Sequence, residues 1–211
     1  MRKMKSSIFC LTISFLFTFG IKIIAMESDA YNLCQSCHGK DLSGNEVLGS
    51  PSIAGMEEWY LLRQISNFKD GIRGTHDKDL MGLTMRLSVM NLNDEQKRSL
   101  SSKISSMKSK KLEQSIQGDL VTGEFVFQHC ISCHGEFAEG DATISAPKLT
   151  GQNDWYIYRQ LINFQKGIRG QHPEDLYGRQ MMEMAEMFNE EMFRDVTAYI
   201  SQIDQAPSED R

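Results

Sequence analysis

The cluster Cys34-Gln35-Ser36-Cys37-His38 returns as Cys130-Ile131-Ser132-Cys133-His134, an offset of 96 residues, and the chain after each copy is laid out alike. Two thiols three apart, with a histidine directly after the second, is the spacing at which a porphyrin can be held by two thioether bonds while the imidazole coordinates its iron. The same residue types admit other chemistry. Two Cys-x-x-Cys pairs could close a four-thiolate zinc cage, and either pair could be a redox dithiol or a structural disulfide. The long separation, with matching sequence behind each cluster, makes each a self-contained site and disfavours a shared zinc. Neither disulfide reading explains a histidine in the same place twice. Covalent haem at each cluster is the favoured reading, and zinc is its nearest rival.

The offset extends well beyond the clusters. Pro51 falls on Pro147, Trp59-Tyr60 on Trp155-Tyr156, Arg63-Gln64 on Arg159-Gln160, Gly71-Ile72-Arg73-Gly74 on Gly167-Ile168-Arg169-Gly170, and Met85 on Met181, all without a gap. This is a duplicated domain. Segments 57–69 and 153–166 carry apolar residues at helical spacing, with Gly71 and Gly167 where a helix would stop. Short helices lead into each cluster, and the one before Cys130 has Phe125 available to the core. A last helix is expected after Asn93 and after Asn189, where Asn can cap and acids suit the positive end of the dipole. No stretch reads as a strand, so the expected fold is all-α, in two tandem units: 26–108 and 120–204, joined by a polar Ser/Lys-rich linker at 109–119, with a loose tail at 205–211.

At the N-terminus, Arg2, Lys3 and Lys5 precede an apolar run from Ile8 to Ile24. Residues 1–25 read as a secretory signal peptide, with cleavage after Ala25 favoured over retention as an anchor because Gly20 and Lys22 interrupt the run. Cys10 would leave with it, and the remaining four cysteines are then fully used by two haems. Attachment of this class of haem takes place outside the cytoplasm, so the periplasm is the expected location. Loss of residues 1–25 removes four cations and takes the formal charge from −5 to −9. Nucleic acid is thereby disfavoured as a partner, since phosphate binding wants clustered Lys and Arg. The acidity is uneven. Residues 26–108 carry ten basic and eleven acidic side chains, whereas 120–211 carry seven and fifteen, which predicts different partner preferences at the two ends.

Histidine supplies one axial ligand, His38 or His134, and each repeat must find another. Thioether sulfur suits haem iron and raises its potential, as an electron carrier needs. Met85 and Met181 are the methionines the offset aligns, so they are the expected ligands over Met81, Met90, Met182, Met184 and Met187. His76 and His172 are competing candidates. A ligating imidazole normally gives its second N–H to a carbonyl, and Pro51 and Pro147 are placed to provide one. Arg73 and Arg169, with Trp59 and Trp155, are candidates to meet haem propionates.

Taken together, both Cys-x-x-Cys-His clusters, Pro147 to Gly151, the Trp-Tyr-x-x-x-Gln helix, the Gly-x-Arg loop and the Gly-x-x-Met segment resemble the dihaem cytochromes c4, tandem class I cytochrome c domains. The resemblance covers nearly the whole chain beyond residue 25. It implies two covalently bound haem c groups with His/Met ligation, and electron shuttling in the periplasm. The implied donor is a quinol–cytochrome c reductase or similar protein and the acceptor a haem-copper terminal oxidase, with peripheral membrane association in some members. Departures lie in the first repeat, where Val89 stands opposite Ala185 and Lys103 opposite Tyr199; its last helix, with many serines, is expected to pack less firmly. An alternative is the cytochrome subunit of a dehydrogenase complex, such as one with a flavoprotein sulfide dehydrogenase. Catalysis at one haem, as in thiosulfate oxidation, would favour a cysteine ligand or an open site and is disfavoured because the cysteines are spent on attachment.

Overall fold

The computed structural model describes residues 30–205; the segment 1–25, Cys10 and the tail from 206 lie outside the described residues. Helix α1, covering residues 30–38, carries the first cluster. The rest of the first repeat is α2 (Glu58–Lys69), α3 (Leu80–Val89) and α4 (Asp94–Ser105). The second repeat repeats the order as α5 (Leu120–Phe127), the short α6 (Ile131–His134) holding the second cluster, a 3-10 turn (Ala142–Ile144), α7 (Asp154–Gln165), α8 (Leu176–Ala185) and α9 (Glu190–Gln205). Among the described residues, extended pairing is confined to two isolated bridges at equivalent places, Asn45 with Ser50 and Asp141 with Ala146.

Local chemistry accounts for the ends of these helices. Asn93 and Gln96 form a reciprocal capping box at the start of α4. Asn189 accepts from Met192 N at 2.9 Å in the equivalent place. Helices α3 and α8, which periodicity did not anticipate, each begin at an aspartate: Asp79 accepts from Gly82 N and Asp175 from Gly178 N. Glycine is required just before them. A Cβ on Gly74 would lie 2.3 Å from the Gly82 carbonyl, and one on Gly170 would lie 2.5 Å from that of Gly178, so the Arg-Gly turn can lie directly against the helix carrying the aligned methionine.

The first core joins Leu61, Ile65 and Phe68 of α2 to Leu100 and Ile104 of α4. The second repeat packs Val126 and Phe127 of α5 against Val196 and Ile200 of α9, with Ile157 of α7 between. Two expectations need correction. Phe125 is 63% exposed, because Val126 and Phe127, one and two residues on, take the core face. The serine-rich α4 does not pack loosely: Leu100 and Ile104 are each 1% exposed and Ser101 is fully buried. Where α9 places Tyr199 against Phe127, α4 places the Lys103 ammonium 4.0 Å above the Tyr31 ring, so a cation–π contact replaces an aromatic pair.

The linker is tied down at both ends. Lys110 pairs with Asp41 of the first repeat. Ser115 N, Ile116 N and Ser115 Oγ all donate to the buried Asp154 carboxylate at the start of α7.

Candidate haem centres

Each cluster presents its imidazole in the same way. His38 Nδ1 lies 2.7 Å from the Pro51 carbonyl oxygen, and His134 Nδ1 lies 2.7 Å from that of Pro147. A carbonyl can only accept, so Nδ1–H donates and Nε2 keeps its lone pair, the form a metal ligand needs. Both rings are 6% exposed. Burial pushes each imidazole below its ordinary pKa, against the opposing pull of the proline carbonyl, and so favours the neutral ligand.

The thiols stand beside the imidazole. Cys34 and Cys37 line the same apolar cavity as His38, together with Leu61, Phe68 and Met85. The four described cysteines are unpaired, which leaves their sulfurs free for thioether bonds. Burial raises the thiols of Cys34 and Cys130 to about 11, so both are held as neutral thiols. Among the described residues no three His, Cys, Asp or Glu side chains converge as a metal cage, so the two clusters do not combine into a zinc site.

Met85 is half-buried against the first core and faces the cavity. Met181 is half-buried against Phe164, Ala185 and Phe193. Met81 also reaches the first cavity but is 46% exposed, and Met90 and Met187 are exposed. His76 and His172 are turned into their own loops, where each Nδ1 accepts a backbone N–H two residues on, from Lys78 and Glu174.

The remaining candidates lie where the repeats meet. The cavity of the first repeat is closed on one side by Tyr156 and Gln160 of the second. Arg73 donates to Gln64 in its own repeat at 2.7 Å and to Tyr156 and Gln160 across the boundary at 2.8 Å each. Arg169 mirrors it, donating to Gln160 in its own repeat and across to Gln64 and Tyr60. Both Nε–H groups are buried donors without a protein acceptor. Trp59 and Trp155 stack under Arg63 and Arg159. These two arginines cross in opposite directions, Arg63 to Ser145 O at 3.0 Å and Arg159 to Gly49 O at 2.5 Å.

Every one of these bonds has a partner with the roles of the repeats exchanged. Ser52 N donates to Asn153 Oδ1, and Lys148 N donates to Glu57 Oε1, again 96 residues apart. The boundary therefore has the self-complementary form of a two-fold interface, built inside one chain. Sequence reasoning saw Tyr60, Arg63, Gln64 and their counterparts as repeated residues without a role. Their repetition was the available signal; that they face each other was not visible.

The donor set and its surroundings fit haem: an imidazole with a fixed tautomer, two neighbouring thiols, a thioether, an apolar lining and buried guanidinium N–H groups suited to carboxylates.

Comparisons with known proteins agree with this geometry. The Cytochrome c family model matches residues 120–204. A cytochrome c4 of Pseudomonas aeruginosa is 32% identical over 177 residues, covering 75% of this chain and 83% of the relative. A thiosulfate dehydrogenase electron acceptor of Stutzerimonas stutzeri is 25% identical over 183 residues, covering 82% of this chain and 79% of the relative. The solved structure of Acidithiobacillus ferrooxidans cytochrome c4 superposes with a TM-score of 0.67 at 23% identity, covering 81% of this chain and 98% of that one, and shares its fold.

Proposed function

This chain belongs to the cytochrome c4 family of dihaem electron-transfer proteins, and from that premise we propose that it carries electrons in the periplasm from a quinol–cytochrome c reductase or similar donor to a haem-copper terminal oxidase. When bound, each haem c supplies a one-electron couple at its iron. The protein's share is attachment, ligation and environment. Cys34 and Cys37 hold the first haem and Cys130 and Cys133 the second. His38 with Met85, and His134 with Met181, are the residues that would ligate the two irons. Burial keeps the imidazoles neutral, the proline carbonyls fix their tautomer and orientation, and the methionine thioethers would raise the potentials.

Arg73 and Arg169 serve the propionates in this reading. Arg73 is buried and Arg169 half-buried where all their hydrogen-bond partners are neutral amides and phenols, an arrangement that calls for anions nearby. Their unpartnered Nε–H groups supply the donors. Trp59 and Trp155 act one step out, bracing Arg63 and Arg159.

The observation that carries the proposal is the identical His-to-proline-carbonyl bond in both repeats, beside two unpaired thiols. Its test is the optical spectrum of exported protein, with pyridine haemochrome quantitation and a search for the weak red band of sulfur-to-iron ligation. Two haems per chain with that band support it; colourless protein matured in the proper compartment overturns it.

A second reading is favoured by the Stutzerimonas relative, whose name makes it an electron acceptor of thiosulfate dehydrogenase. On this reading the chain takes electrons from a dehydrogenase with which it associates, the alternative for which a flavoprotein sulfide dehydrogenase is one example. The acidic second repeat would then meet a cationic partner patch, and the association rate would fall with ionic strength. Stoichiometric co-purification of a dehydrogenase would favour this second reading over the free carrier.

A further inference from the structure

The duplication provides an internal control for the protein's surface. On α3, Leu80, Leu83 and Leu87, with Met90 at the C-cap, recur at spacings of three, four and three, which places them along one face of the helix. They are 67, 39, 57 and 46% exposed. The face is neither core nor cofactor site. Buried Val89 and Gly82 lie on the opposite side, and the cavity is reached by Met81, Thr84, Met85 and Ser88. At the same positions of α8 the chain has Leu176, Arg179, Glu183 and Glu186, all exposed. The same helix in the same fold is therefore solvated by charge in one repeat and left apolar in the other.

We propose that this leucine stripe on α3 is the docking face of the first repeat, and that it takes an apolar patch on a redox partner protein that exchanges electrons with the first haem. The inference rests on the electron-carrier reading above. Size argues for this occupant: four such side chains expose roughly 400 Å², a patch of functional size. Even doubled, that is well below the ~1,200 Å² of total buried surface at which stable dimers begin, and it fits a weak redox encounter. Charge agrees, since the stripe itself carries none and residues 26–108 are nearly balanced. Position agrees too. The other side of the same helix carries Met85, so a partner seated on the stripe lies about one helix diameter, ~10 Å, from the haem site, and electron tunnelling falls steeply with distance.

The test uses holoprotein with Leu83→Arg, Leu87→Glu and Met90→Glu, residues that α8 already carries at the equivalent positions. Stopped-flow electron exchange is measured with a purified haem-copper oxidase, a purified thiosulfate dehydrogenase and ferricyanide. The expected result is at least a tenfold slower exchange with one of the two proteins, and unchanged rates with the other and with ferricyanide. The wild-type rate with the affected partner should vary less than twofold with salt. Unchanged rates with both proteins overturn the proposal. So does a wild-type dimer in sedimentation velocity that the variant abolishes, which would make the occupant a second copy, or wild-type binding to neutral phospholipid vesicles that the variant loses. If wild-type protein exchanges electrons with neither protein, the carrier reading itself fails, and the docking proposal with it.

Discussion

The Arg73 guanidinium donates from Nη2 to the phenol oxygen of Tyr156 at 2.8 Å, joining residues 83 apart in sequence across the boundary between the repeats. The mirror contact, Arg169 to Tyr60, is longer at 3.5 Å, so the internal two-fold is imperfect at its centre. The shorter of the two should carry more of the cohesion between repeats.

Replacement of Tyr156 by Phe should therefore destabilise the protein by about 1.5–3 kcal/mol, the range for a hydrogen bond to a charged group. Tyr60→Phe should cost less, because its bond is longer. Denaturant midpoints of the holoproteins decide between these outcomes; equal losses would mean that the asymmetry has no energetic weight.

The same phenol predicts a pH dependence. Burial alone would push Tyr156 upward, but Arg73, Arg169 and Arg159 outweigh it and hold the group below the ordinary tyrosine value. In the unfolded chain it titrates at about 10. The folded state thus releases its proton first, and stability rises with pH between the folded value and about 10. This gain is lost as pH falls through the folded value. Denaturation midpoints of wild-type protein should climb with alkali relative to Tyr156→Phe, and parallel curves would refute the assignment.

Met85→Ala and Met181→Ala should each remove about half of the red sulfur-to-iron band and lower the potential of one haem, since a thioether ligand raises it. A spectroelectrochemical titration of each variant reads both effects. An intact band in Met85→Ala would point to Met81, which reaches the same cavity.

Asp154 is 2% exposed and accepts three bonds from the linker, two at 2.6 Å and one at 2.7 Å. Asp154→Ala strands two linker N–H groups and should cost roughly 2–4 kcal/mol. Limited trypsinolysis should then cut at Lys108, Lys110 or Lys111 faster than in wild type. An unchanged cleavage rate would mean that the linker is held by other contacts.

The two ligand clusters, the duplication, the all-helical class and the aligned methionines were legible in the chain because each depends on spacing or local periodicity. Helices α3 and α8 were not. Their start depends on Asp79 and Asp175 reaching back to a glycine N–H, and their burial on a glycine turn pressed against them. Phe125 was misplaced for a related reason: three apolar residues in a row leave the inward direction to be chosen by α9.

The sequence by itself determined that this protein is a doubled cytochrome fold with one covalent haem site per half, because thiol and imidazole spacing is a property of consecutive residues. Tertiary structure alone decided that the halves meet about an internal two-fold, that Arg73 lies buried and Arg169 half-buried between them, and that α3 turns a leucine stripe to solvent. Those are relations between surfaces brought together from distant parts of the chain, and no local pattern encodes which face meets which.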